Sequence, residues 1–168
     1  MADNKYPSGE VFLQICKSEY ENEQNRTSVI DSKANIVISL AGVFFVAITQ
    51  IINLKKIFQI EIESFADALV PTLLLLTIIG SITTAFIAII FFLKVVFTKK
   101  YKSLDAEYFY DINKLKQEVD LYSIAVSQFY IEATNVNAFF NDVRVKWYKR
   151  GLILLIISIG AFALHTCL

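Results

Sequence analysis

The chain has 168 residues, 55% of them hydrophobic, and its 16 lysines and arginines balance 16 aspartates and glutamates. A mean hydropathy of +0.51 is too apolar for an ordinary soluble domain. The composition therefore predicts a small helical membrane protein, and the zero net charge gives no indication of a nucleic-acid or other acidic partner.

Residues 1–33 are mostly polar and contain no short apolar region followed by a small-residue cleavage site, so we expect no cleaved signal peptide. The absence of Gly and Pro from 10–30 predicts a cytoplasmic N-terminal helix. Glu23 can face Arg26 at helical spacing. The charges of this segment fit a solvated helix face, or they place Asn25 and Arg26 against a ligand or partner.

Residues 34–54 hold no charged side chain and, at about 1.5 Å per residue, span roughly 30 Å. This length predicts transmembrane helix 1. Asp31 and Lys33 directly precede the uncharged run, where a lysine or a carboxylate can still reach water.

Residues 55–69 are predicted to form a short extracytoplasmic loop, and residues 70–97 to form transmembrane helix 2. Pro71 suits the first turn of that helix. Small side chains on the helix offer a face that another helix can approach closely. They are Gly80, Ser81, Thr83, Thr84, Ala85 and Ala88.

Residues 98–149 are predicted to form a cytoplasmic helical module. Apolar side chains recur here at alternating steps of four and three, as in the seam of a coiled coil. This apolar seam consists of Tyr108, Ile112, Leu115, Val119, Tyr122, Val126, Phe129, Ala133, Val136, Phe140, Val143 and Trp147. Both ends of the module must return to one membrane face, so we expect a reversal within 103–123 and one helix from about Asp120 into the last crossing.

Residues 150–168 are predicted to form transmembrane helix 3. Lysines and arginines concentrate before transmembrane helix 1 and at both ends of the 98–149 module. The loop at 55–69, on the other side of the membrane, contains only Lys55 and Lys56. By the positive-inside rule the N-terminus and the module are cytoplasmic and the C-terminus is extracytoplasmic.

Motifs for catalysis are absent from the sequence: it has no Gly-rich phosphate loop, metal-ligand cluster, nucleophile elbow or thiol pair, and His165 is its single histidine. We therefore expect no enzyme, no catalytic residue, no metal site and no cofactor. The uncharged membrane segments also argue against a proton-relay transporter or a voltage sensor.

Asn, Arg, Lys and aromatic residues concentrate at the predicted cytoplasmic membrane face. Basic groups hold phosphate, amides read base edges and aromatic rings stack on bases. The same residues also anchor helix ends at a membrane, and both interpretations remain open. The candidate nucleotide-binding residues are Asn25, Arg26, Asp31, Lys33, Asn137, Arg144, Lys146 and Trp147.

Several short motifs carry a resemblance to a known family. They are Asn25-Arg26, Ile30-Asp-Ser-Lys-Ala-Asn35, a second crossing that starts at a proline, Asn135-Val-Asn137 and Arg144-Val-Lys-Trp-Tyr-Lys-Arg150. The layout resembles the transmembrane effectors of Pycsar anti-phage defence, and the related SLATT group of small bacterial membrane effectors shares much of the pattern. The resemblance covers most of residues 10–168.

The resemblance implies a protein of the bacterial inner membrane that is paired with a nucleotide cyclase. Such a protein senses a cyclic pyrimidine mononucleotide such as cUMP or cCMP and impairs membrane integrity, which gives abortive infection. No separate cyclic-nucleotide-binding domain is present, so the 98–149 module and the N-terminal helix bind the nucleotide themselves, or a partner or another signal is sensed.

The expected partners are the lipid bilayer, the cyclic nucleotide and further copies of the chain in a homo-oligomer, with no nucleic-acid polymer. Two alternative functions remain open. One is a membrane-anchored accessory or structural subunit that docks a soluble partner through the apolar seam. The other is a small constitutive channel.

Overall fold

The computed structural model describes residues 8–51, 65–98, 101–104, 109 and 116–167. In these residues the chain is helical, without β-strands, and forms α1 at Gly9–Ile51, α2 at Phe65–Phe97 and α3 at Val119–Cys167. Each helix is long and apolar enough to cross a membrane. The prediction of an all-α, multi-pass membrane protein is confirmed at this level.

Helix α1 joins the predicted N-terminal helix and transmembrane helix 1 into one helix of 43 residues. Asp31 and Lys33 do not interrupt it, because neither residue type breaks a helix and no Gly or Pro lies nearby. Helix α3 begins at Val119 and runs without a break to Cys167, which confirms the predicted start near Asp120.

Some predictions fall on residues outside the described ranges. They concern the positions from 52 to 64 of transmembrane helix 1 and the following loop, including Lys55 and Lys56, and the first three residues of the apolar seam, Tyr108, Ile112 and Leu115.

Pro71 lies inside α2 and not in its first turn, so that prediction is wrong. The helix begins at Phe65 and includes residues 65–69, which the sequence analysis placed in the loop. The error arose because the uncharged run was taken as the whole helix, whereas a membrane-crossing helix can extend beyond the apolar layer into water. Pro71 lies in the second turn, past the first four residues whose N–H groups have no acceptor within the helix, so its missing N–H removes one hydrogen bond of α2.

The chain divides into two compact units. We call Met1–Ile30 with Thr98–Arg144 the polar unit, and Asp31–Phe97 with Val145–Leu168 the apolar unit. Helices α1 and α3 each contribute residues to both units, whereas α2 belongs to the apolar unit.

In the polar unit α1 and α3 run parallel, because Gly9 lies beside Asp120 and Thr27 lies beside Asn141. A Cβ atom on Gly9 would lie 2.9 Å from the carbonyl oxygen of Asp120. The two backbones therefore approach too closely for a larger residue at this position. Residues 101–104 pack on the same pair of helices, since Lys102 contacts both Tyr20 and Asn137.

The stripe of α3 that faces inward in the polar unit is made of polar side chains. It follows the same alternation of three and four as the apolar seam but is displaced by one residue. This polar seam consists of Asp120, Ser123, Ser127, Tyr130, Thr134, Asn137, Asn141 and Arg144, of which Tyr130 and Thr134 are half-buried and the others buried.

The apolar seam, by contrast, lies beside the centre of the packing and not in it. Val126 and Ala133 are buried, Val119 is 62% exposed, and the remaining described members of the polar unit are half-buried. The sequence predicted the correct rhythm for the apolar seam, but the polar stripe beside it was not predicted.

The apolar unit packs all three helices around Ala41, Ala88, Phe92 and Leu155. Here α2 runs antiparallel to α3, because Ser81 contacts Ser158 while Phe92 lies against Gly151. The predicted small-residue face is used in part. Its buried members are Ser81, Ala85 and Ala88, whereas Thr83 is exposed and Gly80 has open space beside it.

Candidate functional site

The candidate nucleotide-binding residues fall into both units. The polar unit holds Asn25, Arg26, Asn137 and Arg144, and the apolar unit holds Asp31, Lys33, Lys146 and Trp147. The two groups are described separately.

Asn141 forms the centre of a buried hydrogen-bond network in the polar unit. Its side-chain nitrogen donates to Glu23 Oε2 at 2.8 Å and to Thr27 Oγ1 at 3.0 Å. Nη1 of Arg144 donates to the Asn141 side-chain oxygen at 3.5 Å, and Arg144 is only 2% exposed. A buried guanidinium is held by hydrogen-bonding partners, since leaving it without them is costly.

Asn137 lies seven residues before Arg144 on α3 and binds the backbone of the 101–104 segment. Its side-chain oxygen accepts a hydrogen bond from the backbone N–H of Lys102 at 2.8 Å, and its nitrogen donates to the Lys102 carbonyl oxygen at 3.3 Å. One amide thus satisfies both backbone groups of a residue outside any helix. In this conformation Asn137 fixes the 101–104 segment against α3.

Arg26 lies at the edge of the polar unit in a double ion pair. Its guanidinium binds Asp142 at 2.5 Å and Glu23 at 3.2 Å, and its side chain is 38% exposed. The hydrogen bond with Asp142 raises the pKa of Arg26, and Glu23 adds to this rise, while burial acts in the opposite direction. Asn25 is exposed to solvent.

A cavity of about 10 Å³ lies inside the network. It is lined by Thr27, Thr98, Tyr101, Asn137, Phe140, Asn141 and Arg144. This volume suits one water molecule, whereas pockets for organic ligands usually measure about 300 Å³ or more. The lining nevertheless combines a guanidinium with amides and hydroxyls, the groups that bind a phosphate oxygen.

Three tyrosines form a second cluster in the polar unit. The Tyr20 ring lies 6.1 Å from that of Tyr101 and 5.6 Å from that of Tyr130, and the Tyr20 hydroxyl donates to the Lys102 carbonyl oxygen at 3.5 Å. Burial raises the pKa of Tyr101 and of Tyr130 above the ordinary value.

The sequence analysis missed Asn141 and the tyrosines. A signal was present, because Tyr130, Asn137, Asn141 and Arg144 share one heptad register. A polar residue that recurs at heptad spacing beside an apolar seam is a sign of a buried hydrogen-bonded stripe.

In the apolar unit the Trp147 ring contacts residues near the C-terminal end of α2. Its ring stacks on Phe91 with centroids 5.3 Å apart and an angle of 22°. Lys94 Nζ lies 4.8 Å and Arg150 Cζ 5.0 Å from the centroid of the indole ring, within cation–π range. Lys33 and Lys146 are exposed, and Asp31 is half-buried.

Comparison with models of known protein families, with curated proteins and with solved structures finds no match to this chain. The resemblance to Pycsar and SLATT effectors therefore rests on the short sequence motifs alone.

Proposed function

We propose that this protein is a membrane effector of bacterial anti-phage defence. In this proposal the polar unit lies in the cytoplasm, senses a cyclic pyrimidine mononucleotide such as cUMP or cCMP, and impairs the integrity of the inner membrane, which gives abortive infection. The N-terminus is then cytoplasmic and the C-terminus extracytoplasmic. The observation that carries the proposal is Arg144, a buried arginine in an amide-rich network on a helix that continues into an apolar crossing.

The side chains around Arg144 support a phosphorylated ligand by their chemistry. A guanidinium forms charge-assisted hydrogen bonds with phosphate, and the amides of Asn137 and Asn141 can donate to phosphate or pair with a pyrimidine edge. Neither asparagine is an ordinary choice for a helix interior, where apolar residues pack with less desolvation cost. In the structure their partners are the Lys102 backbone, Glu23 and Thr27, and a ligand that displaces these contacts finds the same donors and acceptors.

The small cavity implies a mechanism in which ligand binding selects a more open state. A ligand shifts a conformational equilibrium only by its differential affinity for the two states. A nucleotide that binds Arg144 and Asn137 must displace the hydrogen bonds to Lys102 and Asn141, so it favours a polar unit in which residues 101–104 have moved away from α3. Because α3 is one helix from Val119 to Cys167, a rotation at Arg144 is passed along its backbone.

Leakage from dye-loaded liposomes tests this proposal. Purified protein reconstituted in such liposomes should release dye when cUMP or cCMP is added, and Arg144→Gln should abolish the increase. Lys17→Gln is a matched control, because this variant loses the same charge in the same unit, whereas the Lys17 side chain is 58% exposed and pairs with Glu21 on its own helix. Cyclic oligonucleotides serve as a further ligand class. If neither class raises leakage, direct gating by a nucleotide is wrong.

A second candidate function is a membrane-anchored subunit that docks a soluble partner. The observation in its favour is the exposure of large apolar residues in the polar unit: Phe139 is 64% and Ile131 40% exposed on α3. This function predicts a stable complex without nucleotide and no leakage. Phe139→Ser should then release the partner, whereas it should leave nucleotide-dependent leakage intact if the first proposal is right.

A further inference from the structure

The apolar unit carries an excess of positive charge. Among its residues with described side chains there are five basic groups and one carboxylate, that of Asp31. The basic residues are Lys33, Lys94, Lys146, Lys149 and Arg150. Within this unit they lie at one end, because α2 runs antiparallel to α3 and its residue Phe92 packs on Tyr148. The excess of four charges among these described side chains is therefore concentrated at one end of the unit.

Two of these cations converge on one ring from two helices. Lys94 of α2 and Arg150 of α3 both lie within 5.0 Å of the Trp147 ring centroid. The ring itself is held in place by its stacking on Phe91. Lys94 and Arg150 are exposed and Trp147 is half-buried, so the group is accessible from outside the unit.

An ammonium and a guanidinium both form charge-assisted hydrogen bonds with phosphate, and a guanidinium matches two phosphate oxygens at once. Tryptophan at the end of a membrane helix prefers the level of the lipid headgroups. Basic pockets between membrane helices are known to bind anionic headgroups in this way.

We propose that Lys94, Trp147 and Arg150 form a binding site for the phosphate group of an anionic phospholipid. The two cations bind the phosphate, and the indole ring packs against the glycerol and upper acyl region. This site is separate from the network around Arg144 and does not depend on the proposed nucleotide sensing. It gives the protein a preference for anionic bilayers whatever signal it responds to.

The single tryptophan of the chain makes the proposal directly measurable. The full-length protein is reconstituted in phosphatidylcholine vesicles with a fixed fraction of phosphatidylglycerol, and bromine is placed on the acyl chains of one lipid or the other. If the site exists, brominated phosphatidylglycerol quenches Trp147 more strongly than the same mole fraction of brominated phosphatidylcholine. A charge-assisted hydrogen bond to a bound phosphate contributes about tenfold to binding. Lys94→Gln or Arg150→Gln should therefore reduce the enrichment about tenfold, which is more than the general attraction of one cation to an anionic surface.

Lys149→Gln is the matched control, because Lys149 is exposed in the same stretch of α3 but is not on the indole ring. It should retain the preference for phosphatidylglycerol. Equal quenching by the two brominated lipids would overturn the proposal, as would an equal loss in all three variants, which indicates bulk attraction to the membrane. Inorganic phosphate is added in a further arm. Loss of the enrichment with phosphate, but not with sodium chloride of equal ionic strength, would assign the site to a soluble anion and overturn the lipid assignment.

Discussion

Replacement of Gly151 by alanine should destabilise the packing of α2 on α3. A Cβ atom at this position would lie 2.8 Å from Cε1 and 2.9 Å from Cζ of Phe92, well inside van der Waals contact. The Phe92 ring cannot move freely, since it is fully buried and its edge contacts Tyr148 at a centroid distance of 5.8 Å. Overpacking of this kind costs about 1–3 kcal/mol.

Gly160→Ala is the matched control on the same helix, because nothing lies within 4 Å of a Cβ atom there. Both substitutions gain the same helix propensity, up to about 1 kcal/mol, so that gain cancels in the comparison. The difference in unfolding free energy between Gly151→Ala and Gly160→Ala should thus equal the overpacking cost alone. A smaller side chain in Phe92→Leu should relieve the clash, and the double variant should be more stable than additivity predicts.

The assay is reversible unfolding in mixed micelles with increasing denaturing detergent. Fluorescence of Trp147, which lies four residues before Gly151 and stacks on Phe91, reports the separation of α2 from α3. Equal transition midpoints for Gly151→Ala and Gly160→Ala would refute the close approach of the two helices. So would a double variant that shows simple additivity.

Two further predictions concern contacts within each unit. Ser81→Ala removes the hydroxyl that donates to the Ser158 carbonyl oxygen at 2.9 Å, and it should cost about 0.6–1.7 kcal/mol in the same unfolding assay. Ser158→Ala removes the reciprocal hydrogen bond, from the Ser158 hydroxyl to the Ser81 carbonyl oxygen at 2.7 Å, and should cost a similar amount. Unchanged stability in both variants would contradict this pair of contacts. Burial raises the pKa of Tyr101 and of Tyr130 above the ordinary 10.0, because the folded state favours the neutral phenol. The contribution of these tyrosines to the free energy of unfolding is therefore complete below pH 10 and is lost as pH rises through their raised pKa values. Melting curves with a tyrosinate absorbance titration should show a smaller alkaline loss in Tyr101→Phe, and an unchanged loss would refute the assignment.

The helices and their capacity to cross a membrane follow from the sequence because long uncharged runs have few other structural solutions. The start of α3 near Asp120 could also be predicted, because the chain must reverse between two segments that end at one membrane face. The start of α2 could not be predicted. Asp67 ends the uncharged run within residues 65–69, although the other four residues of this stretch are hydrophobic. The end of a helix is set by local interactions that composition does not reveal.

The candidate site was predictable only as a collection of residue types. Arg144 and Asn137 do line one small cavity, but nothing in the sequence indicates that the Lys102 backbone binds the Asn137 amide. Hydrophobicity alone does not predict that the polar seam is buried. Amide side chains can lie at the centre of a helix pair when they find partners, and those of Asn137 and Asn141, the Lys102 backbone and Thr27, become visible only with the packed segments in place.

The polar seam also limits how α1 and α3 can slide past each other in the polar unit. Asn141 is matched to Thr27 and Glu23, and a shift of α1 by one heptad in either direction would bring Tyr20 or Ala34 opposite its amide. Each buried polar group left without its partner costs about 1–3 kcal/mol. Translation of α1 along α3 is therefore disfavoured, even by a whole heptad. Any rearrangement of this helix pair should occur as a roll about the helix axes that keeps Asn141 level with Thr27.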